Sequence, residues 1–545
     1  MTRPPDILLT TLNAKYIHPS LGLRYLLANM GDLKPQTAIR EFTIARKPQE
    51  VVDALLATLD GQTPVSEPIS FGPRIIGFGV YIWNVSQTLS VIRLLKAARP
   101  DIAVILGGPE VSYETDEQEI IRLADHVITG WGDLSFARLC KALLQGPQPL
   151  MKIIAGEQPD LDRIVLPYAE YSDADLIKRV VYVEASRGCP FKCEFCLSAL
   201  DKTAWAFDLD RFLGEMERLY RRGARNFKFV DRTFNLKIDI AVRILQFFLD
   251  RLTAPGSGAS SAGLFVHFEA VPDHLPDALK ALIARFPPGV LQFEVGIQTF
   301  TVEVQQRISR KQDNDKTDAN LRWLVGRSNA NLHTDLLFGL PGESLESFAA
   351  GFDRLYAQGP QEIQLGILKR LRGTPIVRHA IEYRMVFDTA PPYSLQESST
   401  VDASTMQRVS RFARYWELVA NSGRFKKTLP LLLAGHVADC EAGGAGAGPG
   451  ATGSPFHAFL EFSDWLWQRT EKTSGFSPEF LVDALFDYLC GRCALPGSRV
   501  KQVLLEDYLA SGARGSPPSL RELLPKRDPP LQKRRVLNAA IAGKA

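Results

Sequence analysis

Short apolar runs alternate with helical stretches up to about residue 370, and many of the runs end on glycine, acid or amide residues. Strand–helix–strand order at this spacing implies parallel crossovers, and so a sheet covered by helices on its faces. The pattern occurs twice. Ile7–Leu12, Ile75–Val80, Ile102–Leu106 and His126–Thr129 form the first series, with helical patterns at Gln87–Ala97 and Leu134–Leu144. They predict a doubly wound domain over residues 1–150. Val180–Ala185, Asn226–Asp231, Leu264–Ala270, Leu291–Ile297, His333–Gly339 and Glu362–Leu368 form the second series. Six βα units in one stretch predict a partial barrel over 180–390, with 151–179 as connector. Helical periodicity then takes over, as in Met406–Leu418 and Pro478–Leu489, and residues 391–545 read as a mostly helical extension. The Gly/Ala-rich stretch 441–454 reads as a linker within it, and Ala254–Gly263 as a surface loop.

Composition narrows the class. Of 545 residues 45% are hydrophobic and 23% charged, which suits folded domains and excludes wholesale disorder. Lys and Arg number 64 against 61 Asp and Glu, for a net charge of +3. That balance gives no electrostatic reason to expect nucleic acid or membrane as partner. No apolar run approaches the roughly 18–20 residues of a membrane span. The opening Met1–Asp6 lacks the apolar core of a signal peptide. A cytoplasmic enzyme is the expectation.

Seven cysteines are too few for a disulfide scaffold, but three of them cluster. Ser186-Arg187-Gly188-Cys189-Pro190-Phe191-Lys192-Cys193-Glu194-Phe195-Cys196 follows directly on a predicted strand and reads C-x3-C-x2-C. Thiolate is the soft ligand of iron–sulfur chemistry, and three on one loop can hold three irons of a 4Fe–4S cubane. No fourth cysteine is near, which leaves the fourth iron open to another ligand. The alternative, a structural zinc site, normally takes a fourth ligand in CxxC spacing, and none is close.

This loop resembles that of the radical S-adenosylmethionine (SAM) superfamily. Further motifs agree: Phe293-Glu294-Val295-Gly296-Ile297-Gln298-Thr299 is similar to the strand-four signature, Arg310 to the arginine that follows it, and Asp335–Glu343 to the strand-five run. The resemblance covers roughly residues 180–375. It implies a cluster on Cys189, Cys193 and Cys196 whose open iron chelates SAM, and reductive cleavage of SAM to a 5′-deoxyadenosyl radical. It also implies SAM contacts from Phe195, Asp231, Glu269, Gln298, Arg310 and Asp335. A guanidinium suits the SAM carboxylate, and a carboxylate suits the ribose hydroxyls or the ammonium. The family's GGE motif after strand two is not evident.

The first 150 residues resemble the cobalamin-binding, Rossmann-like domain of cobalamin-dependent radical SAM enzymes, whose central domain is a partial TIM barrel. Four pieces carry the likeness: Ile17–Leu26, Gly79–Asn84, Gly107–Glu110 and Gly130–Asp133. They imply corrin contacts from Leu21, Gly22, Tyr81, Trp83, Asn84, Gly107, Gly108, Pro109, Gly130 and Gly132. Glycine after a strand lets a large ligand approach backbone. The D-x-H-x-x-G motif that supplies a cobalt ligand in many cobalamin proteins is absent, and His18 stands in a different pattern. A domain that keeps this fold without corrin is the alternative.

Three activities compete. The first is radical methyl transfer to an unactivated carbon with cobalamin and two SAM molecules. The second is a radical rearrangement, cyclisation or other group transfer on the same scaffold. The third is RNA modification, disfavoured because only Cys140 lies in the N-terminal domain, where methylthiotransferases carry three cysteines. The expected partners are a small-molecule or peptide substrate and an electron donor such as flavodoxin or ferredoxin. A second CxxC, Cys490-Gly491-Arg492-Cys493, together with Cys440, reads as structural thiols rather than a second cluster.

Overall fold

The computed structural model describes residues 4–61, 73–253, 263–434 and 453–524. The chain divides into two compact units, residues 1–413 and 414–545. The Gly/Ser/Ala stretch 254–262, most of the 441–454 linker and Cys440 lie outside the described residues.

The first sheet of unit 1 has six parallel strands: β1 (Ile7–Asn13), β2 (Thr37–Thr43), β3 (Ile75–Gly79), β4 (Ala103–Gly107), β5 (His126–Thr129) and β6 (Ile153–Ala155). Their order is β2-β1-β3-β4-β5-β6. All seven residues of β1 are buried, as a central strand with helices on both faces requires. One layer of core packs Leu8, Ile76, Val104 and Val127 under one set of helices, and another packs Ile7, Leu9, Ile75, Ile105 and Ile128 under the other. Each such side chain contributes about 1.5–3 kcal/mol on burial. The chain leaves β1 toward β2 on one side and reaches β3 on the other, so strand order reverses at β1/β3, where open α/β sheets hold ligands.

Two strands, β2 and β6, were not among the predicted runs, because edge positions expose one side and show little continuous apolarity. β6 corrects the expected connector: Ile153–Ala155 completes the first sheet. The rest of the segment is anchored, with Tyr168 and Tyr171 buried and their hydroxyls donating to Glu184 O (3.1 Å) and Tyr182 O (2.8 Å).

The second sheet contains the six predicted strands: β7 (Val181–Val183), β8 (Asn226–Phe229), β9 (Phe265–Ala270), β10 (Leu291–Gln298), β11 (Asn331–Phe338) and β12 (Glu362–Ile367). They are parallel and in sequential order, the arrangement of an open barrel. Burial in β10 and β11 alternates strictly. Leu291, Phe293, Val295 and Ile297 form the fully buried face of β10, and Leu332, Thr334, Leu336 and Phe338 that of β11. The other face carries Glu294, Gly296 and Gln298 on β10 and His333 and Asp335 on β11. Strand period two thus places every polar residue of the site on one side.

Unit 2 is helical, with Pro455–Thr470, Pro478–Gly491 and Gly497–Ala510 as its longest described helices. Phe459, Phe462, Leu485 and Tyr488 fill its core. Among the described residues no helix is long and apolar enough to cross a membrane.

Candidate functional site

Two cavities stand out in unit 1, and the segment 184–196 contributes to both. The first is a cleft of about 1050 Å³, open mouth included, at the carboxyl ends of β3, β4 and β5. Gly77, Gly79 and Gly107 occupy alternating positions on one sheet face, so the face lacks side chains where its neighbours carry isoleucine. The helix Leu21–Ala28 forms the opposite wall, its first turn capped by Ser20 Oγ, which accepts from Leu23 N at 3.2 Å.

Of the residues expected at a corrin, Leu21, Gly22, Tyr81, Gly107, Gly108, Gly130 and Gly132 line this cleft. Three do not. Asn84 is fully buried; its carbonyl accepts from Tyr81 N (2.8 Å) and its amide donates to Thr11 Oγ1 and Leu12 O (both 3.1 Å). It shapes the turn after β3 rather than the ligand surface. Trp83 is half exposed and stacks on the outer side of Tyr81, with ring centroids 4.4 Å apart. Pro109 opens a short 3-10 turn outside the wall. His18 also lies outside the lining; its Nδ1 is 2.8 Å from Tyr182 Oη.

Sequence reasoning missed the wall opposite the glycines: Tyr25, Trp131, Asp133, Glu184 and Arg187. Arg187 donates to both oxygens of Asp133 (2.9 and 3.0 Å) and from Nε to Glu184 (2.7 Å), beneath the rings of Tyr25 and Trp131. The Tyr25 hydroxyl is buried in this wall beside Glu184. A glycine-floored, largely apolar cleft with polar groups confined to one wall fits a flat macrocycle bearing amide side chains.

The second cavity lies at the carboxyl end of the barrel, with about 940 Å³ of empty space. Cys189, Cys193 and Cys196 share its wall with Phe195, Glu269, Gln298, Arg310 and Asp335, so the structure gathers eight of the nine residues predicted for cluster and SAM. The cysteine loop is held from below. Gly188 turns it with φ +84°, and a Cβ there would lie 2.7 Å from Ala204 N. Glu194, inside the motif, is buried and bonded to Ser309 Oγ (2.6 Å), His379 Nε2 (2.8 Å) and Arg378. Its role was not legible, because its partners come from distant segments.

Burial pushes the Cys189 thiol up to about 11, and burial also raises Cys193 against the opposing charge of Arg310. Metal ligation must displace these protons, because the thiolate is the ligand. Among the described residues no three His, Cys, Asp or Glu side chains converge where a single ion could sit. The ligands of a cubane attach to separate irons and need no such convergence. Three thiols on one wall, with no fourth, fit a cluster with one open iron.

The polar side of the cavity is ordered by charge. Arg310 lies with Nη1 3.8 Å from Cys193 Sγ and is fixed by Gly296 O and Gln312 Oε1. Gln298 ends β10 at φ +67°, beside a register shift; non-glycine residues so strained concentrate at functional sites. Glu269 is clamped by Arg232 at 2.9 and 3.0 Å, and its carboxyl is raised by burial although Arg232 opposes this. Burial also raises Asp335. His333 Nε2 bonds to Gln364 Oε1 at 2.9 Å and lies 3.3 Å from Asp335 Oδ1; burial opposes charge on the imidazole, but Asp335 and Glu362 outweigh it and raise it to about 10, so His333 and Asp335 form an ion pair. Asp335 thus lines the cavity with its charge met by His333 from one side.

Glu294 and Arg232 also line the cavity and were not predicted. Burial opposes ionisation of Glu294, but the His267 hydrogen bond and the Lys228 charge outweigh it and bring its carboxyl to about 2. Its alternation with Gly296 and Gln298 was the available signal.

Asp231 is the exception among the nine. It is buried outside this cavity, accepting from Ala185 N (3.0 Å) and Ser186 Oγ (2.6 Å), and burial pushes its carboxyl up to about 7. It braces the strand end that leads into the cysteine loop.

An open barrel with a thiol-lined mouth, preceded by a doubly wound sheet with a glycine-floored cleft, defines a two-cofactor class of α/β protein. The Radical SAM superfamily model matches residues 183–355 and the B12 binding domain model matches residues 7–140. The chain therefore joins a B12-binding domain to a radical SAM domain. It is 29% identical to an uncharacterized methyltransferase of Pyrococcus horikoshii over 43% of this chain and 53% of the relative. It is 24% identical to the cobalamin-dependent radical SAM methyltransferase TokK of Streptomyces tokunonensis over 54% of this chain and 47% of that one. The chain spans about half the length of the curated relatives it matches. Its fold is similar to that of the radical S-adenosylmethionine methyltransferase TsrM from Kitasatospora setae, solved with cobalamin and a 4Fe–4S cluster. The TM-score is 0.53 at 16% identity, covering 73% of this chain and 82% of that one.

Proposed function

We propose that this protein is a cobalamin-dependent radical SAM enzyme that methylates an unactivated carbon of a small-molecule or peptide substrate. The observation that carries the reading is the adjacency of the cavities: Arg187 lines the cleft, Cys189 lines the thiol cavity, and one glycine separates them. A radical source and a methyl carrier placed side by side can serve one substrate carbon. Bound in the two cavities, the cluster with SAM supplies the 5′-deoxyadenosyl radical and cobalamin supplies the methyl group. Every other task falls to the chain. Arg310 binds the SAM carboxylate, Asp335 accepts from the ribose, and Glu269 with Glu294 offers negative charge to the ammonium. The glycine floor admits the corrin, and the polar groups of the opposite wall meet its amides. The two relatives described above are named methyltransferases, which supports methyl transfer over rearrangement. A low-potential electron donor such as flavodoxin or ferredoxin completes the reaction, which suits the reducing cytoplasm.

The test is product stoichiometry in anaerobically reconstituted protein. Methyl transfer releases one S-adenosylhomocysteine and one 5′-deoxyadenosine per product. Deuterium from the reacting carbon appears in 5′-deoxyadenosine and labelled SAM methyl in product. Substrate-dependent 5′-deoxyadenosine without S-adenosylhomocysteine or methylated product replaces this reading with a radical rearrangement.

A further inference from the structure

The chain between the two cavities is tied to the first domain by side chains that ligand occupancy must affect. Arg187 stands two residues before Cys189. Its guanidinium is held by Asp133 and Glu184 and lies 4.4 Å from the Tyr25 ring centroid and 4.9 Å from that of Trp131. All five residues line the cleft. A second link runs in parallel: Trp131 Nε1 donates to Asp201 Oδ2 at 3.1 Å, while Asp201 O accepts from Cys189 N at 3.0 Å. Asp201 is itself fixed by Thr203, whose Oγ1 and N donate to Asp201 Oδ1. The cleft wall and the first cluster cysteine are therefore joined by two short chains of directional bonds, with Gly188 as the only pivot between them.

We propose that Arg187 and Asp201 are positioning residues that couple the two cavities, so that cobalamin in the cleft and the cluster on the cysteine loop each tighten the other's binding. This rests on the cofactor reading above. A ligand in the cleft immobilises Tyr25, Trp131 and the Arg187–Asp133–Glu184 group. The main chain at Gly188 and Cys189 is then already ordered when the cluster is received. Linkage makes the effect reciprocal, and coupling between sites typically spans about 5–150-fold. A guanidinium is needed because two carboxylates must be met at once by a planar fork under two aromatic rings.

The experiment measures hydroxocobalamin affinity by optical titration, anaerobically, for the full chain before and after cluster reconstitution. The expected result is tightening by about fivefold or more in the cluster-loaded protein, with a clearly smaller ratio in Arg187→Met, which leaves only the Trp131–Asp201 link. Trp131→Phe keeps an aromatic ring in the wall and removes only the Asp201 bond. It serves if Arg187→Met does not fold, and its ratio is expected to fall toward one. The electron paramagnetic resonance signal of the reduced cluster should shift on addition of cobalamin in the unaltered protein and less in Arg187→Met. Equal affinities with and without cluster in the unaltered protein overturn the coupling and leave the cofactor reading intact. A ratio in both variants equal to that of the unaltered protein removes Arg187 and Asp201 as the link. Failure of either form to bind cobalamin overturns both the coupling and the cofactor reading.

Discussion

The two cavities of unit 1 are made by opposite means. The cleft of the first sheet is made by subtraction: glycines at 77, 79 and 107 remove side chains from one face of the sheet, beside apolar positions such as Ile75, Ile105 and Ile128. The barrel cavity is made by addition: thiols, carboxylates and guanidinium groups fill the open side of strands whose other side is the hydrophobic core. A subtractive site is sensitive to added volume; an additive site is sensitive to loss of the groups that fill it. Both lie at the carboxyl ends of parallel strands, where loops leave the sheet and the backbone can be shaped without disturbing the ladder.

The largest expected effect falls on the additive side. Replacing Cys189, Cys193 and Cys196 together with Ala should abolish the iron–sulfur chromophore and all reductive SAM cleavage. A full cubane retained in that variant would place the cluster elsewhere.

Next comes volume on the subtractive side. A Cβ at Gly107 meets only Ile128 O at 3.8 Å, so Gly107→Leu should fold, project into the cleft and prevent cobalamin uptake on gel filtration. Gly108 is different. Its φ is +111° and a Cβ would lie 2.4 Å from Val80 O, so Gly108→Ala should lower thermal stability by at least about 1–2 kcal/mol. Normal cobalamin uptake by Gly107→Leu would remove the cleft as the corrin site.

Single charges in the barrel cavity should matter less. Arg310→Ala and Asp335→Ala each remove a charge-assisted contact of about 1.5–3 kcal/mol, so SAM affinity should fall roughly tenfold or more, with cluster content unchanged. Equilibrium dialysis of labelled SAM measures this, and unchanged affinity in both variants excludes them from the site.

The smallest binding effect belongs to Asp231, which lines neither main cavity. Asp231→Asn should change SAM affinity less than about twofold. Its signature is in stability. The buried carboxyl is raised from 3.8 to about 7, so its contribution is full below about pH 4, declines as pH rises toward 7, and is flat above. Denaturant midpoints should fall less steeply between about pH 4 and 7 in Asp231→Asn than in the unaltered protein, where Glu343, also raised to about 7, adds a slope of the same sign that remains. A large loss of SAM affinity would return Asp231 to the site.

The two cavities were legible to different degrees. Cysteine spacing and strand–helix alternation are local properties, and from them came the thiol loop and the six strands of the barrel; the resemblance of short motifs added the other expected residues, and eight of the nine named gather in one cavity. Asp231 was misplaced because strand-end position says where a side chain starts, and the Ala185 and Ser186 groups that consume it come from another strand. In the first domain Asn84 was misread for the same reason, while Tyr25, Asp133, Glu184 and Arg187 went unnoticed because they form a wall only when two domains meet.

Sequence alone determined the parallel α/β architecture, the cysteine loop and the glycine floor, because these follow from strand period, thiol spacing and the stereochemistry of single residues. Only the tertiary structure decided which polar groups are left for a ligand. Asp231 and Asp335 are both aspartates of the barrel's βα units, yet one is consumed by hydrogen bonds outside the cavity while the other lines it, paired with His333. That difference arises because a polar group's availability depends on partners brought to it by folding, and those of Asp231 stand far from it in the chain.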